Sequence, residues 1–194
     1  MKEKPKILAF AGSTRKESFN KKILKYAVLG ARNAGAEVTV IDLKDYPMPL
    51  YDGDLEKEQG IPENGKKLFE LMLEHQGLLI ASPEYNSGIS GVLKNAIDWI
   101  SRPRANMKPL VAFDGKIAGL MSASPGALGG LRGLAALRTV LGNIKVIVLP
   151  GQVAVPKVQE KVDDNGNMKH EKKQKALEDL GVHLTEMINK LYLK

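Results

Sequence analysis

The feature that most constrains this chain is an alternation. Short apolar runs exchange in strict turn with longer stretches whose apolar residues recur at helical spacing. Lys6–Ala11 reads as a strand closed by Gly12. Phe19–Ala34 carries Ile23, Leu24, Ala27, Val28 and Ala31 on one helical face, and Gly35 stops it. Glu37–Leu43, rich in β-branched residues, reads as a second strand. Pro47 and Pro49 then force extended backbone, and Asp52–Gly53 marks a turn. Glu63–His75 predicts a helix with Leu68, Leu71 and Met72 inward, Leu78–Ser82 a third strand, and Ile89–Ser101 a helix with Leu93, Ala96, Ile97 and Ile100 on one face. Lys116–Ser122, Gly130–Leu141 and Lys145–Leu149 read as strand, helix and strand. Gln174–Leu193 is a last, amphipathic helix.

Strands that are apolar throughout, with helices between them, belong in a parallel sheet covered on both faces. Right-handed crossovers leave few ways to wind it. The expectation is a three-layer α/β/α sandwich whose five-stranded parallel sheet has the order 2-1-3-4-5. That order places a ligand crevice at the carboxyl ends of strands one and three. The loops after Ala11, Ser82 and Ser122 then converge on one site. At 194 residues, with 43% hydrophobic and 26% charged residues and no linker-like segment, the chain fits a single domain with a full core.

Composition narrows the chemistry. Without cysteine there is no disulfide framework, cysteine nucleophile or cysteine-ligated metal. His75, His170 and His183 lie far apart, in no ligand spacing, so no metal site is expected. The apolar run Ile7–Ala11 is too short for a signal-peptide core, and no stretch is long enough to span a bilayer, so a cytoplasmic protein is the default. The net charge of +7 comes from lysines spread along the chain, with an excess in Lys169–Lys175. No zinc-finger or RNP-like pattern accompanies them, so neither nucleic acid nor membrane is expected as a partner. The spread fits a solvated basic surface, one that also attracts anions such as a dinucleotide.

The three converging loops carry the unusual residues. The first, Gly12–Asn20, sets Ser13, Thr14, Ser18, Asn20 and Arg15 at the start of a helix, where unpaired N–H groups and the helix dipole favour an anion. These residues fit a phosphate monoester, and they also fit an ordinary loop with Ser18 as N-cap. Neither a Walker A motif nor a G-x-G-x-x-G turn is present. The second loop, Ser82–Gly91, offers Pro83 for stiffness, Tyr85 as a flat surface and Asn86 as donor and acceptor to a heteroaromatic edge. It reads equally as a polar turn with Tyr85 packed. The third, Ser122–Gly130, combines glycines and hydroxyls ahead of a helix bearing Arg132 and Arg138, which read as surface or interface residues.

Three segments, GSTRKESFN, SPEYNSGISGVLKNAIDWISR and SASPGALGGLRGLAALR, resemble in order and position the NADPH-dependent FMN reductase family. This is the flavodoxin-like group that contains quinone, azo dye and chromate reductases. The resemblance covers about residues 6 to 155, and its middle segment is the most specific. It implies that Ser13, Arg15, Ser18 and Asn20 bind the FMN phosphate, with Phe19 backing the loop. Pro83, Glu84, Tyr85 and Asn86 would line the isoalloxazine ring, Ser87 and Gly88 adjoining, while Ser124, Gly126 and Gly129 border the opposite side. It implies hydride transfer from NADPH to FMN and onward transfer to a small-molecule acceptor such as a quinone, azo compound, chromate or free flavin. Such chemistry asks for no catalytic acid, base or nucleophile from the protein, and none is assigned. Family members form dimers or tetramers, which implies a homodimer or homotetramer. Asp98, Trp99 and Arg102 are interface candidates, Trp99 fitting a core position equally. The rival function is an FMN-binding electron carrier or regulatory partner, although such carriers tend to be acidic. A non-flavin binder of a phosphate ester is a third reading. The role of Asp163–Lys175 stays open: Asp164-Asn165-Gly166-Asn167 reads as a hairpin turn or a mobile loop that covers a neighbouring subunit's site.

Overall fold

Every run predicted as a strand enters one parallel sheet. The structure, a computed structural model, describes residues 3–163 and 165–192. In chain order the elements are β1 (Lys6–Ala11), α1 (Phe19–Asn33), β2 (Glu37–Asp42), α2 (Gly53–Gln59), α3 (Glu63–Glu74), β3 (Gly77–Ala81), β4 (Glu84–Tyr85), β5 (Gly88–Ile89), α4 (Gly91–Ile100), β6 (Ile117–Ala123), α5 (Leu131–Asn143), β7 (Ile147–Val155), α6 (Val158–Lys161) and α7 (Glu171–Tyr192). The sheet runs β2-β1-β3-β6-β7 with all neighbours parallel, which is the expected 2-1-3-4-5 order once the small β4–β5 hairpin is set aside.

Alternation along each strand divides the core into two. Ile7, Ala9, Ala11, Leu79, Ile117 and Met121 face α1 and α7, which bring Ile23, Ala27, Leu177 and Leu184. Leu8, Phe10, Leu78, Ile80 and Leu120 face α3, α4 and α5, which bring Leu68, Met72, Leu93, Ile97 and Leu137. Helices α1 and α7 meet backbone to backbone: a β-carbon on Gly30 would lie 2.0 Å from the Glu178 carbonyl oxygen.

Three readings need correction. The fifth strand is not Lys145–Leu149 but Ile147–Val155. Pro150 does not end it, because an edge strand accommodates proline at a bulge. The register shifts between Ala118 and Leu120, and the Arg138 guanidinium fastens the bulge, donating to the Leu149 carbonyl at 2.9 Å and to Gln152 Oε1 at 3.1 Å. Asp52–Gly53 is not a turn but the start of α2, because Asp52 Oδ1 accepts from Asp54 N at 2.8 Å and caps the helix. The third helix starts at Gly91, since Ser90 is its N-cap and the residues before it form the β4–β5 hairpin. Trp99 takes the core position: it is fully buried, donates through Nε1 to the Pro49 carbonyl at 2.8 Å and meets Tyr51 edge-on. The turn after Asp163 is a hairpin closed by the Val162–Met168 bridge, with Gly166 left-handed and Met168 N donating to Tyr26 Oη at 2.6 Å. Asp164 and Leu193 of the predicted turn and last helix lie outside the described residues.

Candidate functional site

The carboxyl ends of β1, β3 and β6 lie side by side, and their pairing runs one residue further. Gly12 N donates to the Ala81 carbonyl at 2.9 Å and Ser82 N to the Met121 carbonyl at 2.8 Å. The three chemically unusual loops therefore leave the sheet from adjacent points, at the switch where the winding reverses.

In the first loop Ser13 is buried and its Oγ accepts from Arg15 N at 3.3 Å, a tight turn that leaves the Arg15 side chain exposed. Arg15 makes no ion pair among the described residues. Lys21 is held by Asp42 and Lys22 by Glu17. Burial pulls the Asp42 carboxyl upward, but the Lys21 ammonium and the Lys44 N–H outweigh it and leave the group below its ordinary range. Ser18 stands at the N-cap of α1 in extended conformation, yet its hydroxyl caps nothing and no acidic residue occupies the first turn. The first helical bond runs from Lys22 N to the Ser18 carbonyl at 3.1 Å. The first-turn N–H groups thus face the loop with no side-chain acceptor. Phe19 is half-buried, with the Lys22 ammonium 5.8 Å from its ring centre.

The second loop is a hairpin whose central residues, Asn86 (φ 51°) and Ser87 (φ 66°), are both left-handed, the arrangement of a two-residue type I′ connection. Pro83 is buried beneath it, Gly88 is half-buried, and Tyr85 is 53% exposed. In the third loop Gly129 (φ 63°) and Gly130 (φ 88°) are left-handed in succession. A β-carbon on Gly130 would lie 1.9 Å from Ser122 Oγ, a buried hydroxyl with no hydrogen-bond partner among the described residues. Only glycine lets α5 start this close to the sheet. Ser124 and Gly126 tie the loop to the end of β7 and the residues after it, through Ser124 N to the Val155 carbonyl at 3.2 Å and Lys157 N to the Gly126 carbonyl at 3.1 Å.

Three side chains join the loops to one another. Ser90 Oγ donates to the Gly12 carbonyl at 2.6 Å while accepting from Leu93 N at 3.3 Å. The Asn20 amide is committed at both ends to Ala123, donating to its carbonyl at 3.1 Å and accepting from its N–H at 3.0 Å. The Glu84 carboxylate turns toward α5, where Oε2 accepts from Gly133 N at 2.8 Å and Oε1 lies 3.3 Å from Arg132 Nε. Because Gly130 has no side chain to cap α5, Glu84 supplies that cap from another loop. Of the three helices that begin at this crevice, α4 is capped by Ser90, α5 has its anion built in, and α1 has neither. Ser90 was legible as an N-cap preceding an apolar run. The Glu84 cap carries no local signal, since donor and acceptor lie 49 residues apart. A cleft of about 170 Å3 beside the first loop also brings Tyr46 and Met48 to the wall with Thr14, Val92 and Asn95. The prolines flanking Met48 predict extended backbone but carry no signal for its place on this wall.

Comparison with known proteins agrees with this architecture. Residues 5–160 match the family model of NADPH-dependent FMN reductase. A quinone reductase of Escherichia coli is 33% identical over 179 residues, covering 88% of this chain and 91% of that protein. An NAD(P)H-dependent FMN reductase of Pseudomonas aeruginosa is 33% identical, covering 92% of each chain. Among solved structures, the flavoenzyme NAD(P)H:(acceptor) oxidoreductase of Paracoccus denitrificans superposes with a TM-score of 0.80 at 26% identity, over 96% of this chain and 98% of that one. The chain belongs to the NADPH-dependent FMN reductase family, and it is a flavodoxin-like, FMN-dependent oxidoreductase.

Proposed function

We propose that FMN lies across the three loops, with its phosphate at the open end of α1 and its ring against the β4–β5 hairpin, and that the enzyme carries electrons from NADPH to a quinone-type acceptor. The observation that carries this reading is the uncapped N-terminus of α1 beside the unpaired Arg15, at the β1/β3 switch point. The donor set suits a phosphate monoester: first-turn N–H groups, the hydroxyls of Ser13 and Ser18, and a guanidinium fork. Phe19 backs this loop, and Asn20 contributes by holding it to β6. Pro83, Tyr85, Asn86, Ser87 and Gly88 present one wall for a flat ring. Glu84 acts there through its backbone, since its carboxylate serves α5. Ser124, Gly126 and Gly129 form the other wall.

When bound, FMN supplies the redox chemistry, taking hydride from the nicotinamide and passing electrons to the acceptor. The chain's own part is to bind, to orient and to leave one ring face accessible, and no acid or base is required of it. Tyr85, Leu128 and Leu131, about half exposed, form an apolar rim that suits a flat acceptor such as the quinones named for the relatives. That rim also supports a homodimer or homotetramer in which a second copy covers part of it. Both hydrophobic clusters share one sheet, which supports a single domain. No helix among the described residues is long and apolar enough to cross a membrane, and we place the protein in the cytoplasm.

The test is to purify the protein without added flavin, record its visible spectrum and mix it anaerobically with NADPH. A flavin band that bleaches within seconds, and returns when a benzoquinone is added, is the expected outcome. A band that persists with both NADPH and NADH would favour the electron-carrier reading. Absence of a band, with no binding of added FMN, would overturn the assignment of all three loops.

A further inference from the structure

The carboxyl end of β7 opens beside the third loop, and its surroundings are basic. Lys157 lies two residues past the strand and adopts a left-handed backbone (φ 47°, ψ 50°) that L-residues other than asparagine and aspartate seldom take. Its N–H donates to the Gly126 carbonyl at 3.1 Å, and the next residue, Val158, donates to the Ser124 carbonyl at 3.1 Å. The position of Lys157 relative to the loop is thereby fixed while its side chain is exposed. Two more ammonium groups attend the same strand end. Lys173 Nζ donates to the Ala154 carbonyl at 2.9 Å, and Lys161 Nζ to the Pro156 carbonyl. Among the described residues none of the three makes an ion pair with a carboxylate. Three lysines therefore attend one flank of the crevice without an ion pair among the described residues. Lys161 and Lys173 spend a donor on backbone, and Lys157 spends none.

A glycine would meet the backbone requirement at position 157 without strain. The lysine there instead sets an exposed ammonium group at a fixed point beside the third loop. The phosphate proposed for FMN is met by the first-turn N–H groups of α1 and by Arg15, which leaves the charge of Lys157 for a second anionic ligand. We propose that Lys157 is a phosphate anchor for the nicotinamide dinucleotide, with Lys161 and Lys173 raising the local potential around it. This inference rests on the reading of the site as a reductase that takes NAD(P)H. The dinucleotide carries two phosphate sources, the pyrophosphate common to both forms and the 2′-phosphate of NADPH alone.

The experiment compares the flavin-loaded wild type with Lys157→Gly and Lys157→Arg, by calorimetric titration with NADP+ and NAD+ and by KM for NADPH and NADH. Lys157→Gly removes the charge and relieves the backbone, so its Tm should hold or rise. Its dissociation constant for NADP+ should rise about 3- to 10-fold, the scale of one charge-assisted contact. Lys157→Arg should stay within about twofold of wild type. Weakening confined to NADP+ and NADPH assigns the anchor to the 2′-phosphate; equal weakening of both dinucleotides assigns it to the pyrophosphate. Unchanged affinity for both, or equal loss in the Gly and Arg variants, overturns the proposal. If the wild type binds NADP+ but its flavin is not bleached by NADPH, the reductase reading fails while the anchor stands.

Discussion

The two ends of the sheet are built from the same strands and treated in opposite ways. At the amino end the polar groups are closed onto the chain itself. His75 is buried with Nδ1 2.6 Å from the Leu71 carbonyl and Nε2 2.8 Å from Thr39 Oγ1. Lys6 N donates to Gln76 Oε1 at 2.9 Å, the Lys116 ammonium to the His75 carbonyl, and Tyr192 Oη to the Gly115 carbonyl. At the carboxyl end donors are left over: the first turn of α1, the Arg15 side chain and the Ser122 hydroxyl. A buried polar group without a partner costs stability. Among the described residues two buried side-chain polar atoms lack a partner, Arg104 Nη2 in the segment after α4 and Ser122 Oγ in the crevice, and the second shares that crevice with the open first turn of α1 and the exposed Arg15.

The sharpest way to break the contrast is at Gly130. An alanine there would adopt a left-handed backbone and press a methyl group against Ser122. Strain and overpacking together should cost about 3 kcal/mol or more, lowering Tm by roughly 10 °C. The amino end offers the opposite experiment. Burial pushes the Lys116 ammonium down from lysine's usual 10.5 to about 8. Below pH 8 both folded and unfolded chains carry the proton, and the folded state bears the full penalty of a buried charge. Between pH 8 and 10.5 the unfolded chain keeps a proton that the folded chain has released, so stability rises with pH across that window. Denaturant titrations should show a gain on the order of 2 kcal/mol, absent in Lys116→Met. A Lys116→Met variant with the wild-type slope would show that the amino end is not closed in the way described.

Much of this contrast could be read from the residues, and what could not has a physical cause. Strand order followed from apolar runs and handedness, because both are local in sequence. The place of the first loop at the start of α1 could be read because a strand pattern and a helical pattern flank it directly. The far half of β7 could not, because its bulge is held by Arg138 from α5 across the sheet edge. Nor could the β4–β5 hairpin, whose left-handed residues are Asn86 and Ser87 although glycines stand beside them. Asn20 and Glu84 show the limit most clearly. Residue type suggests a ligand contact for each, yet both side chains are spent on tertiary bonds that span 103 and 49 residues.

At the carboxyl end the comparison sharpens to the two helices. Arg15→Ala removes a fork from the open end of α1 and breaks no side-chain hydrogen bond or ion pair among the described residues. Its FMN dissociation constant should rise about 10- to 30-fold, equivalent to roughly 1.5–2 kcal/mol, with Tm of the flavin-free protein unchanged. The loss should shrink as salt rises, because an exposed charge is screened. Equal FMN affinity in variant and wild type would move the phosphate away from α1.

Glu84→Ala is the smaller and more discriminating change. If the carboxylate were chiefly a flavin contact, its loss would be felt in FMN affinity and not in the flavin-free protein. As the cap of α5, its loss should instead destabilise the flavin-free protein by about 1 kcal/mol, read as a Tm shift of roughly 2–4 °C. Glu84→Gln separates the two parts of that role. Its amide oxygen can still accept from Gly133 N, so most of the cap survives. The charge facing Arg132 and the helix dipole is lost, worth about 0.5 kcal/mol at a partly exposed pair. The expected order of Tm is wild type, Gln, then Ala. Removing the capping acceptor from α5 also leaves a second helix end open to an anion, so the Ala variant should gain affinity for inorganic phosphate that the Gln variant, still capped, lacks. Identical phosphate binding in all three proteins would mean that the difference between the two helix ends is not what directs the anion to α1.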